Sequence, residues 1–399
     1  MTHHEYLNRS WAEINLDHIA WNVRRIRRSV HRSAEVMAVV KADAYGHGVE
    51  QTIPVMLENG VTRLAVSMLD EAVQLRQAGV GVPILVLSYT DSGRAPEILS
   101  NQITQTVYSR DLAQALSDAA VQLNCDARIH IKVDTGMGRV GFLAGYGAVK
   151  DITWIGRLPR IIIEGIYTHF ATADEEDTTF VFEQFEQFNA ICRELERIGI
   201  QIPIKHVCNS AATMRFPAMH LDLVRPGLIL FGMVPTGCPD AWTDLKPAMT
   251  LKSGVILTKD LPPGYPISYG RSFVTSRESQ IVTIPIGYAD GYSRRLTGKA
   301  SVLLRGRRLP VIGRICMDTC MVDATQLPPP RVAVGEEVVL FGEQINGGNK
   351  SGISVDELAS WMGTINYEMT CLIGRRVPRA YVTAKGLATV KSYILAEDR

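Results

Sequence analysis

The chain has 399 residues, of which 46% are hydrophobic and 21% charged, an ordinary globular composition at a length that allows two domains. Its 42 basic side chains oppose 41 acidic ones, so the molecule as a whole attracts neither nucleic acid nor an anionic membrane. No secretion signal begins the chain and no apolar run is long enough to span a membrane, so we expect a cytoplasmic protein.

The first predicted strand, residues 36–41, ends on a lysine. It is rich in β-branched residues and is followed by Gly46 and Gly48, which release the chain into a turn. Burial at a strand end disfavours the ammonium form of Lys41 and leaves a nucleophilic amine that can react with a carbonyl compound such as pyridoxal phosphate. A lysine that extends its amine from a barrel rim to solvent is the alternative.

Seven more strands alternate with helical patterns up to about residue 230. This alternation indicates a parallel sheet, and eight such units close a TIM-like (β/α)8 barrel. The seven strands are predicted at residues 63–67, 83–87, 103–107, 128–133, 161–167, 204–208 and 222–230.

Beyond Pro235 the pattern changes to short alternating runs between turn residues, which predicts a mostly β domain. We place the barrel at residues 12–240 and the mostly β domain at residues 241–385. The residues before the barrel are candidates to pack with the second domain.

The seven cysteines argue against a metal centre. They form no Cys-x-x-Cys pair, and Cys316 and Cys320 have no histidine cluster beside them. Since a structural zinc site needs grouped cysteine and histidine ligands and a disulfide framework needs paired cysteines, neither is predicted.

Unusual polar residues follow the predicted strands, at the end where barrels of this kind carry their catalytic groups. Taken singly, each has a structural explanation as a core histidine, a helix cap or a salt-bridge partner. Their recurrence at strand ends instead predicts one shared site. The residues are Lys41, Asp134 to Arg139, His169, Asn209, Ser210 and Arg225 to Gly227.

Eight motifs, in order along the chain, resemble the alanine racemase family, which are pyridoxal-phosphate enzymes with a barrel followed by a β domain. The similarity extends from about Trp11 to Tyr381. The motifs are Val39–Gly48 (VVKADAYGHG), Lys132–Phe142 (KVDTGMGRVGF), Cys208–Ala212 (CNSAA), Val224–Gly227 (VRPG), Ser268–Gly270 (SYG), Gly287–Gly291 (GYADG), Gly313–Asp318 (GRICMD) and Asn366–Glu368 (NYE).

The resemblance implies that Lys41 binds pyridoxal 5'-phosphate covalently. Hydroxyl and amide donors suit its phosphate dianion without a metal, and the loops after strands seven and eight are the usual phosphate site in such barrels. Arg225 would face the pyridine nitrogen and, because a guanidinium keeps its proton, leave that nitrogen unprotonated. The other cofactor-binding residues implied by the resemblance are Tyr45, Arg139, His169, Asn209, Ser210, Gly227, Leu228 and Tyr367.

Racemisation removes a proton from one face of Cα and returns it to the other, so two acid–base groups must flank the external aldimine. The family pattern assigns these roles to Lys41 for D-alanine and Tyr269 for L-alanine. Tyr269 would act in the partner subunit's active site, with His169 and Arg225 beside it, which implies a homodimer with shared sites. Without the resemblance, an ordinary turn tyrosine would be the preferred interpretation of Tyr269.

The resemblance assigns a second role to Arg139 and roles to three further residues. Arg139 would contact the substrate carboxylate, a bidentate task suited to arginine, and the partner's Met317 and Asp318 would line the substrate pocket. Lys132 occupies a position that is often carbamylated in the family, where the carbamate would orient Arg139. An ordinary lysine paired with Asp134 is the alternative, and Met317 is alternatively a core filler.

The implied function is the interconversion of L-alanine and D-alanine, with D-alanine supplied to peptidoglycan. A racemase for another or broader set of amino acids, such as serine and lysine, is the alternative, although the bulky Tyr367 and Met317 favour a small side chain. Non-enzymatic pyridoxal-phosphate-binding proteins share only the barrel, and the decarboxylases with a similar barrel have a glycine-rich phosphate loop that this sequence lacks.

Overall fold

The computed structural model describes residues 9–235 and 242–395, which form two compact units. Among these residues, the barrel unit contains 19–44, 49–235 and 242–246, and the β unit contains 9–18, 45–48 and 247–395. The division is not sequential: strand β1 (Ser10–Asn15) and the segment 45–48 both group with the C-terminal part of the chain.

Eight parallel strands form the predicted barrel, and a short additional strand, β7, pairs with the end of one of them. The strands of this unit are β2 (Glu35–Val39), β3 (Arg63–Val66), β4 (Ile84–Val86), β5 (Thr104–Val107), β6 (Ala127–Asp134), β7 (Phe142–Leu143), β8 (Ile161–Tyr167), β9 (Ile204–His206) and β10 (Leu223–Val224).

The barrel strands follow the order β10-β2-β3-β4-β5-β6-β8-β9. Two backbone hydrogen bonds join the segments of β9 and β10: Asp222 N–H donates to Lys205 O (3.2 Å), and just past the two strands Arg225 N–H donates to Cys208 O (2.9 Å). These bonds bring the two ends of the sheet together, so the carboxyl ends of all eight strands surround one opening.

The last barrel strand is shorter than the sequence predicts. A strand is expected over 222–230, but β10 ends at Val224 and residues 228–231 form a 3-10 helix. Pro226 has no N–H to donate to a neighbouring strand, which ends the pairing. The sequence stays apolar beyond the strand because all four residues of the 3-10 helix are buried.

Helices connect the barrel strands. They are α1 (Leu16–Ser29), α2 (Val49–Glu58), α3 (Leu69–Gln77), α4 (Ala95–Ser100), α5 (Arg110–Gln122), α6 (Tyr146–Ile155), α7 (Thr179–Arg197) and α8 (Ser210–Arg215). Helix α5 illustrates why they form: Ser109 Oγ caps the first turn by accepting from Leu112 N–H (3.4 Å). Leu112, Leu116 and Ala120 then recur at four-residue spacing on its buried face.

The β unit is mostly β, as predicted. Its further strands are β11 (Met249–Gly254), β12 (Leu257–Leu261), β13 (Pro266–Ile267), β14 (Phe273–Val274), β15 (Ser279–Ile284), β16 (Ser301–Leu304), β17 (Arg307–Ile312), β18 (Cys320–Asp323), β19 (Glu337–Asn346), β20 (Asn349–Ile353), β21 (Arg379–Thr383) and β22 (Gly386–Lys391), and its helices are α9 (Val355–Met362) and α10 (Asn366–Cys371).

One large sheet organises the β unit in the order β12-β15-β18-β17-β16-β19-β11-β1-β21-β22, with β20 paired to β19. Strand β1 runs antiparallel to β11 and parallel to β21, which ties the start of the described chain to this sheet. A separate hairpin, β13 with β14, shares no strand pairing with the large sheet.

No helix in the two described ranges combines the length and apolarity that a membrane crossing requires. The six cysteines in those ranges form no disulfide. The same ranges contain no group of three or more histidine, cysteine or acidic residues that could hold a metal ion.

Candidate active site

Lys41 lies two residues after the end of the buried strand β2 and begins a left-handed helical turn, Lys41–Tyr45. The four residues after the lysine have φ values of 52–56°, a region that costs an L-residue about 1–2 kcal/mol. The carboxylate of Glu71 holds this turn by accepting hydrogen bonds from the amides of Ala42 (2.6 Å) and Ser67 (2.7 Å). Tertiary contacts therefore fix the backbone beside the lysine against its local preference.

Lys132 lies on β6 and is almost fully buried. Its Nζ donates to Val133 O (2.7 Å) and lies 5.5 Å from the centre of the Tyr167 ring. Burial, with the positive charges of Arg225 and Arg139, lowers the pKa of Lys132 to about 7. A large fraction of this amine is therefore neutral at physiological pH.

The loop after β6 is organised by Asp134. Its carboxylate accepts hydrogen bonds from the amides of Gly136 (2.9 Å) and Gly138 (3.1 Å). Burial alone would raise the pKa of Asp134, but these amides bring it below its ordinary value. Arg139 follows in the same loop and is exposed, and its charge still contributes to the lowered pKa of Lys132.

Arg225 is only 3% exposed and connects several residues of the barrel site by hydrogen bonds. Its Nη2 donates to the carbonyls of Thr168 (2.8 Å) and Val207 (3.1 Å) and lies 3.4 Å from Nδ1 of His169, while Nη1 donates to Nδ1 of His206 (2.8 Å). Burial lowers the pKa of Arg225 to about 10, so it remains charged at neutral pH. Among the described residues its hydrogen-bond partners include no carboxylate, and its Nε makes no hydrogen bond.

Two buried histidines, His206 and His130, continue the hydrogen bonds of Arg225 into the barrel. His206 accepts from Arg225 at Nδ1, so its proton lies on Nε2 and is donated to Nδ1 of His130 (2.8 Å). His130 in turn donates from Nε2 to Glu164 (3.3 Å), and Glu164 also binds Arg63 (3.2 Å). This direction of donation assigns the tautomers of both histidines and gives each of their ring nitrogens a partner. We call the chain Arg225–His206–His130–Glu164 the relay.

Charge within this relay stays at its two ends. Burial, with the charge of Arg225, holds the pKa of His206 well below its ordinary value, and burial likewise lowers the pKa of His130. The hydrogen bond from His130, together with Arg63, lowers the pKa of Glu164 to about 2. Two neutral imidazoles therefore connect a guanidinium to a carboxylate and fix its orientation without direct ion pairing.

Strand β8 provides the space that the relay occupies. A Cβ on Gly165 would lie 2.5 Å from Nδ1 of His130, so only glycine leaves room for that ring. The ring of Tyr167 stacks on His206 with centroids 4.7 Å apart, and its hydroxyl pairs with Thr106 Oγ1 (3.0 Å). Gly165 therefore leaves room for the ring of His130, and Tyr167 packs against the ring of His206.

His169 follows β8 at the carboxyl end of the barrel. Burial, followed by the charges of Arg225 and Arg139, holds the pKa of His169 well below its ordinary value, so the ring is neutral. Lys41 contributes to the same shift, which places its charge near this ring. Because Nδ1 accepts from Arg225, the proton of His169 lies on Nε2.

The loops after β9 and β10 meet at a serine. Asn209 caps α8, with Oδ1 accepting from Ala212 N–H (2.9 Å), and Ser210 Oγ accepts from Gly227 N–H (2.9 Å). Leu228 begins the 3-10 helix, whose first N–H groups have no acceptor within a helix. The loops after the last two strands thus bring a hydroxyl and backbone amides together.

Tyr45 and Tyr367 lie in the β unit. Burial, with nearby acidic groups that include Tyr367, raises the pKa of Tyr45 well above its ordinary value. A Cβ on Gly46 would lie 2.3 Å from Thr370 O, so this segment packs against the backbone of α10. The two phenols are therefore close together, and that of Tyr45 is protonated at neutral pH.

Tyr269 stands at the tip of the β13–β14 hairpin and is 69% exposed. The preceding Ser268 has φ 66°, and its Oγ donates to Arg314 O (2.6 Å). Ile267 anchors the hairpin in a small cluster of buried apolar residues. A strained but anchored turn thus presents an aromatic side chain outward, which is typical of functional positions.

Tyr269 borders a cleft of about 490 Å³ in the β unit. Met317, which is 51% exposed, and Asp318 lie in the same wall. The turn from Cys316 to Thr319 that carries both residues is closed by a hydrogen bond from Cys316 N–H to Thr319 O (2.9 Å).

The predicted residues thus fall into two sets. Tyr45, Tyr269, Met317, Asp318 and Tyr367 belong to the β unit. The set at the carboxyl end of the barrel consists of Lys41, Lys132, Arg139, His169, Asn209, Ser210, Arg225, Gly227 and Leu228.

The sequence did not predict the residues that hold Arg225 through hydrogen bonds and ring stacking inside the barrel. Each is a polar residue inside an otherwise apolar strand, which is the available signal, since such a residue needs a buried partner. The missed residues are His130, Glu164, Tyr167 and His206.

Comparison with known proteins links both units to one family. Residues 14–235 match the family model described as alanine racemase, N-terminal domain, and residues 248–381 match alanine racemase, C-terminal domain. Alanine racemase 1 of Clostridium acetobutylicum is 48% identical over 385 residues, covering 96% of this chain and 98% of that protein. An alanine racemase of Methanococcus maripaludis is 47% identical over 93% of this chain and 98% of its own length.

Solved structures that resemble this chain are also alanine racemases. The alanine racemase of Clostridium difficile 630 superposes with a TM-score of 0.92 at 39% identity, covering 97% of this chain and 99% of that one. The alanine racemase of Bacillus anthracis with bound L-Ala-P superposes with a TM-score of 0.89 at 36% identity, covering 98% of both chains.

Proposed function

This chain belongs to the alanine racemase family, and from this premise we propose how its residues interconvert L-alanine and D-alanine. The enzyme is an isomerase, and its reaction exchanges a proton between the two faces of Cα. The observation that carries the proposal is the group around Lys41: a lysine on a fixed turn, a neutral imidazole at His169 and a buried, charged Arg225.

We propose pyridoxal 5'-phosphate as the cofactor, held covalently by Lys41. When bound, this group withdraws electrons from Cα and makes its proton acidic. Arg225 fits the pyridine nitrogen because a guanidinium remains a donor and its Nε is not engaged within the described residues. Ser210 and the backbone at Gly227 fit a phosphate, since they bring a hydroxyl and an amide to one place.

The remaining cofactor contacts follow the family pattern. Arg139 would bind the phenolic oxygen of the cofactor, and Tyr45 and Tyr367 would donate hydroxyl hydrogen bonds to its phosphate. The raised pKa of Tyr45 suits this role, because its phenol stays protonated. His169, Asn209 and Leu228 would complete the set by orienting these groups.

Two residues would move the proton. Lys41 would serve one face of Cα after the incoming amino acid releases its amine, and Tyr269 would serve the other. Tyr269 is supported by its exposure at the hairpin tip, next to the strained Ser268, which makes its hydroxyl accessible to a second chain. We propose that it acts in the partner subunit of a homodimer, beside that subunit's His169 and Arg225.

The substrate would bind through its carboxylate to Arg139, and the partner's Met317 and Asp318 would close the pocket. A thioether beside Tyr269 leaves room for a methyl side chain and disfavours longer ones. Half-buried thiols such as Cys125 and Cys316 are compatible with the reducing cytoplasm that we propose as the location.

We propose that Lys132 is carbamylated. Its lowered pKa, about 7, makes the neutral amine that reacts with carbon dioxide available at physiological pH. The resulting anion would attract Arg139, whose charge already acts on this lysine. Carbon NMR of protein supplied with labelled bicarbonate tests this directly, because Lys132→Met must remove a carbamate signal that belongs to this residue.

The function is tested with purified protein, pyridoxal phosphate and separate incubations with L-alanine, L-serine and L-lysine, followed by chiral analysis. We expect D-alanine, with little D-serine or D-lysine. Bound cofactor without racemisation of any of the three amino acids would overturn the proposal.

A further inference from the structure

The turn Cys316–Thr319 carries Met317 in the wall of the cleft beside Tyr269. The turn has only four residues and lies directly before β18, and methionine is a flexible side chain. Its position therefore depends on what holds the backbone of the turn.

The floor under this turn is the motif Gly287–Gly291, to which the proposed function gives no role. The amide of Tyr288 donates to Cys316 O (3.1 Å), and the amide of Ala289 donates to Met317 O (3.1 Å). A Cβ on Gly287 would lie 2.3 Å from Cys316 O and 2.4 Å from the carbonyl oxygen of Met317. Glycine at 287 is thus required for this close approach of the two backbones.

Asp290 fixes the floor from within. Its side chain is 2% exposed, and Oδ2 accepts from Gly287 N–H (3.0 Å). Two guanidinium groups flank the same carboxylate: Arg9 Nη2 lies 3.4 Å from Oδ2, and Arg376 Nε lies 3.4 Å from Oδ1. The buried charge is therefore paired on both sides, as buried carboxylates need to be.

Arg376 also reaches the turn itself. Its Nη2 donates to Oδ1 of Asp318 (2.7 Å), the residue next to Met317. One guanidinium thus joins the buried carboxylate of the floor to the carboxylate of the turn, with planar donors directed at both. Without it, the carboxylates of Asp290 and Asp318 would lack the cation between them.

We propose that Arg376 and Asp290 are positioning residues for Met317, and that through it they set the size limit for the substrate side chain. The inference rests on the proposed function, in which Met317 closes the partner's substrate pocket. Arg376 does not touch the substrate. It acts by locking the turn onto the Gly287–Gly291 floor, so that the thioether cannot retreat from a longer side chain.

The test compares Arg376→Met with the control Arg331→Met. Arg331 is another arginine of the β unit, which pairs with Asp260 (2.9 Å) and donates to Thr258 O (3.1 Å), away from the turn. Chiral assays with L-alanine and L-2-aminobutyrate give kcat and KM for each variant. Hydrogen–deuterium exchange of the peptide that contains the amides of Tyr288 and Ala289 reports on the floor independently of activity.

We expect Arg376→Met to raise KM for alanine more than it lowers kcat. Its preference for alanine over 2-aminobutyrate should fall about tenfold, the value of one methylene group in a fitted pocket. Exchange at residues 288 and 289 should become faster. Arg376→Lys should restore part of the preference, since a lysine can pair with one carboxylate but not bridge two, and Arg331→Met should behave as wild type.

An unchanged preference together with unchanged exchange in Arg376→Met would overturn the inference. If that variant does not fold, Asp318→Asn weakens the same bond at constant shape and must show the same loss of preference. Failure of the wild type to racemise alanine would instead contradict the proposed function, so the two failures are distinguishable.

Discussion

The two sets of site residues differ in how they are supported. Arg225 is 3% exposed and belongs to a relay in which guanidinium, two imidazoles and a carboxylate satisfy one another inside the barrel. Tyr269 is 69% exposed, and Met317 beside it is 51% exposed. Arg225 is thus held by hydrogen bonds within the barrel, whereas Tyr269 and Met317 of the β-unit set present their side chains outward.

This difference indicates a division of labour. A charge that must stay fixed against a cofactor ring is best held by buried hydrogen-bonded groups, because the low-polarity interior makes an unpaired polar group costly. In the proposed dimer Tyr269 has to be exposed in its own chain to reach the other, so its rigidity would come from backbone geometry, here the strained turn at Ser268. Mutations should therefore separate activity from stability at Tyr269 but couple them in the relay behind Arg225.

The largest effect is expected for Lys41→Ala, which removes both the anchor and one acid–base group. Turnover should fall by about 10⁴-fold or more, and the absorbance of the lysine-linked cofactor should disappear. Absorbance spectra and chiral assays measure both. Retained absorbance of a covalently linked cofactor would rule out Lys41 as the anchor.

Tyr269→Phe should separate activity from stability. Turnover should fall by between about 10² and 10⁴-fold in both directions, since only the proton-carrying hydroxyl is lost. The free energy of unfolding should change by less than about 0.5 kcal/mol, because the side chain is largely exposed. Unchanged racemisation would contradict the assignment, and a large loss of stability would contradict the comparison between the two sets.

His206→Phe should do the opposite and lower stability. It leaves Nη1 of Arg225 and Nδ1 of His130 buried without their partner, at a cost of about 3–5 kcal/mol. Urea unfolding measures this, with His31→Phe at an exposed position as the control. A loss no larger than that of the control would show that the relay does not need this imidazole.

The smallest effect concerns acid stability. The pKa of Glu164, about 2 in the folded protein against 4.5 ordinarily, means that its ion contributes stability above pH 4.5 and that this contribution is lost as the pH falls towards 2. Glu164→Gln should remove about 2–3 kcal/mol at neutral pH and flatten the decline of unfolding free energy in that window. The exposed Glu186→Gln serves as the control, and an equally steep decline in Glu164→Gln would contradict the shift.

The sequence carried enough information for the eight barrel strands and for Lys41 at the end of the first one. Runs of β-branched residues and punctuation by glycine are local signals, and the observed strands lie within a few residues of the predicted ones. The exception, residues 222–230, failed because an apolar run looks the same in a strand and in a buried 3-10 helix.

The features that could not be predicted from the sequence depend on contacts between distant segments. The left-handed turn after Lys41 is stabilised by Glu71, thirty residues later, and is not a local preference of its residues. The relay combines His130, Glu164 and His206 from three strands, so it exists only once strand register is set. No local pattern specifies such register.

The central claim is that each active site combines Lys41 of one subunit with Tyr269 of the other. Lys41→Ala and Tyr269→Phe chains, co-expressed with different affinity tags, can be purified as a mixed dimer. That dimer would contain one site with both residues intact and one with neither, so about half of the wild-type activity should return although each parent dimer is nearly inactive. A mixed dimer as inactive as its parents would mean that the tyrosine acts within its own chain, and the account of shared sites would be wrong.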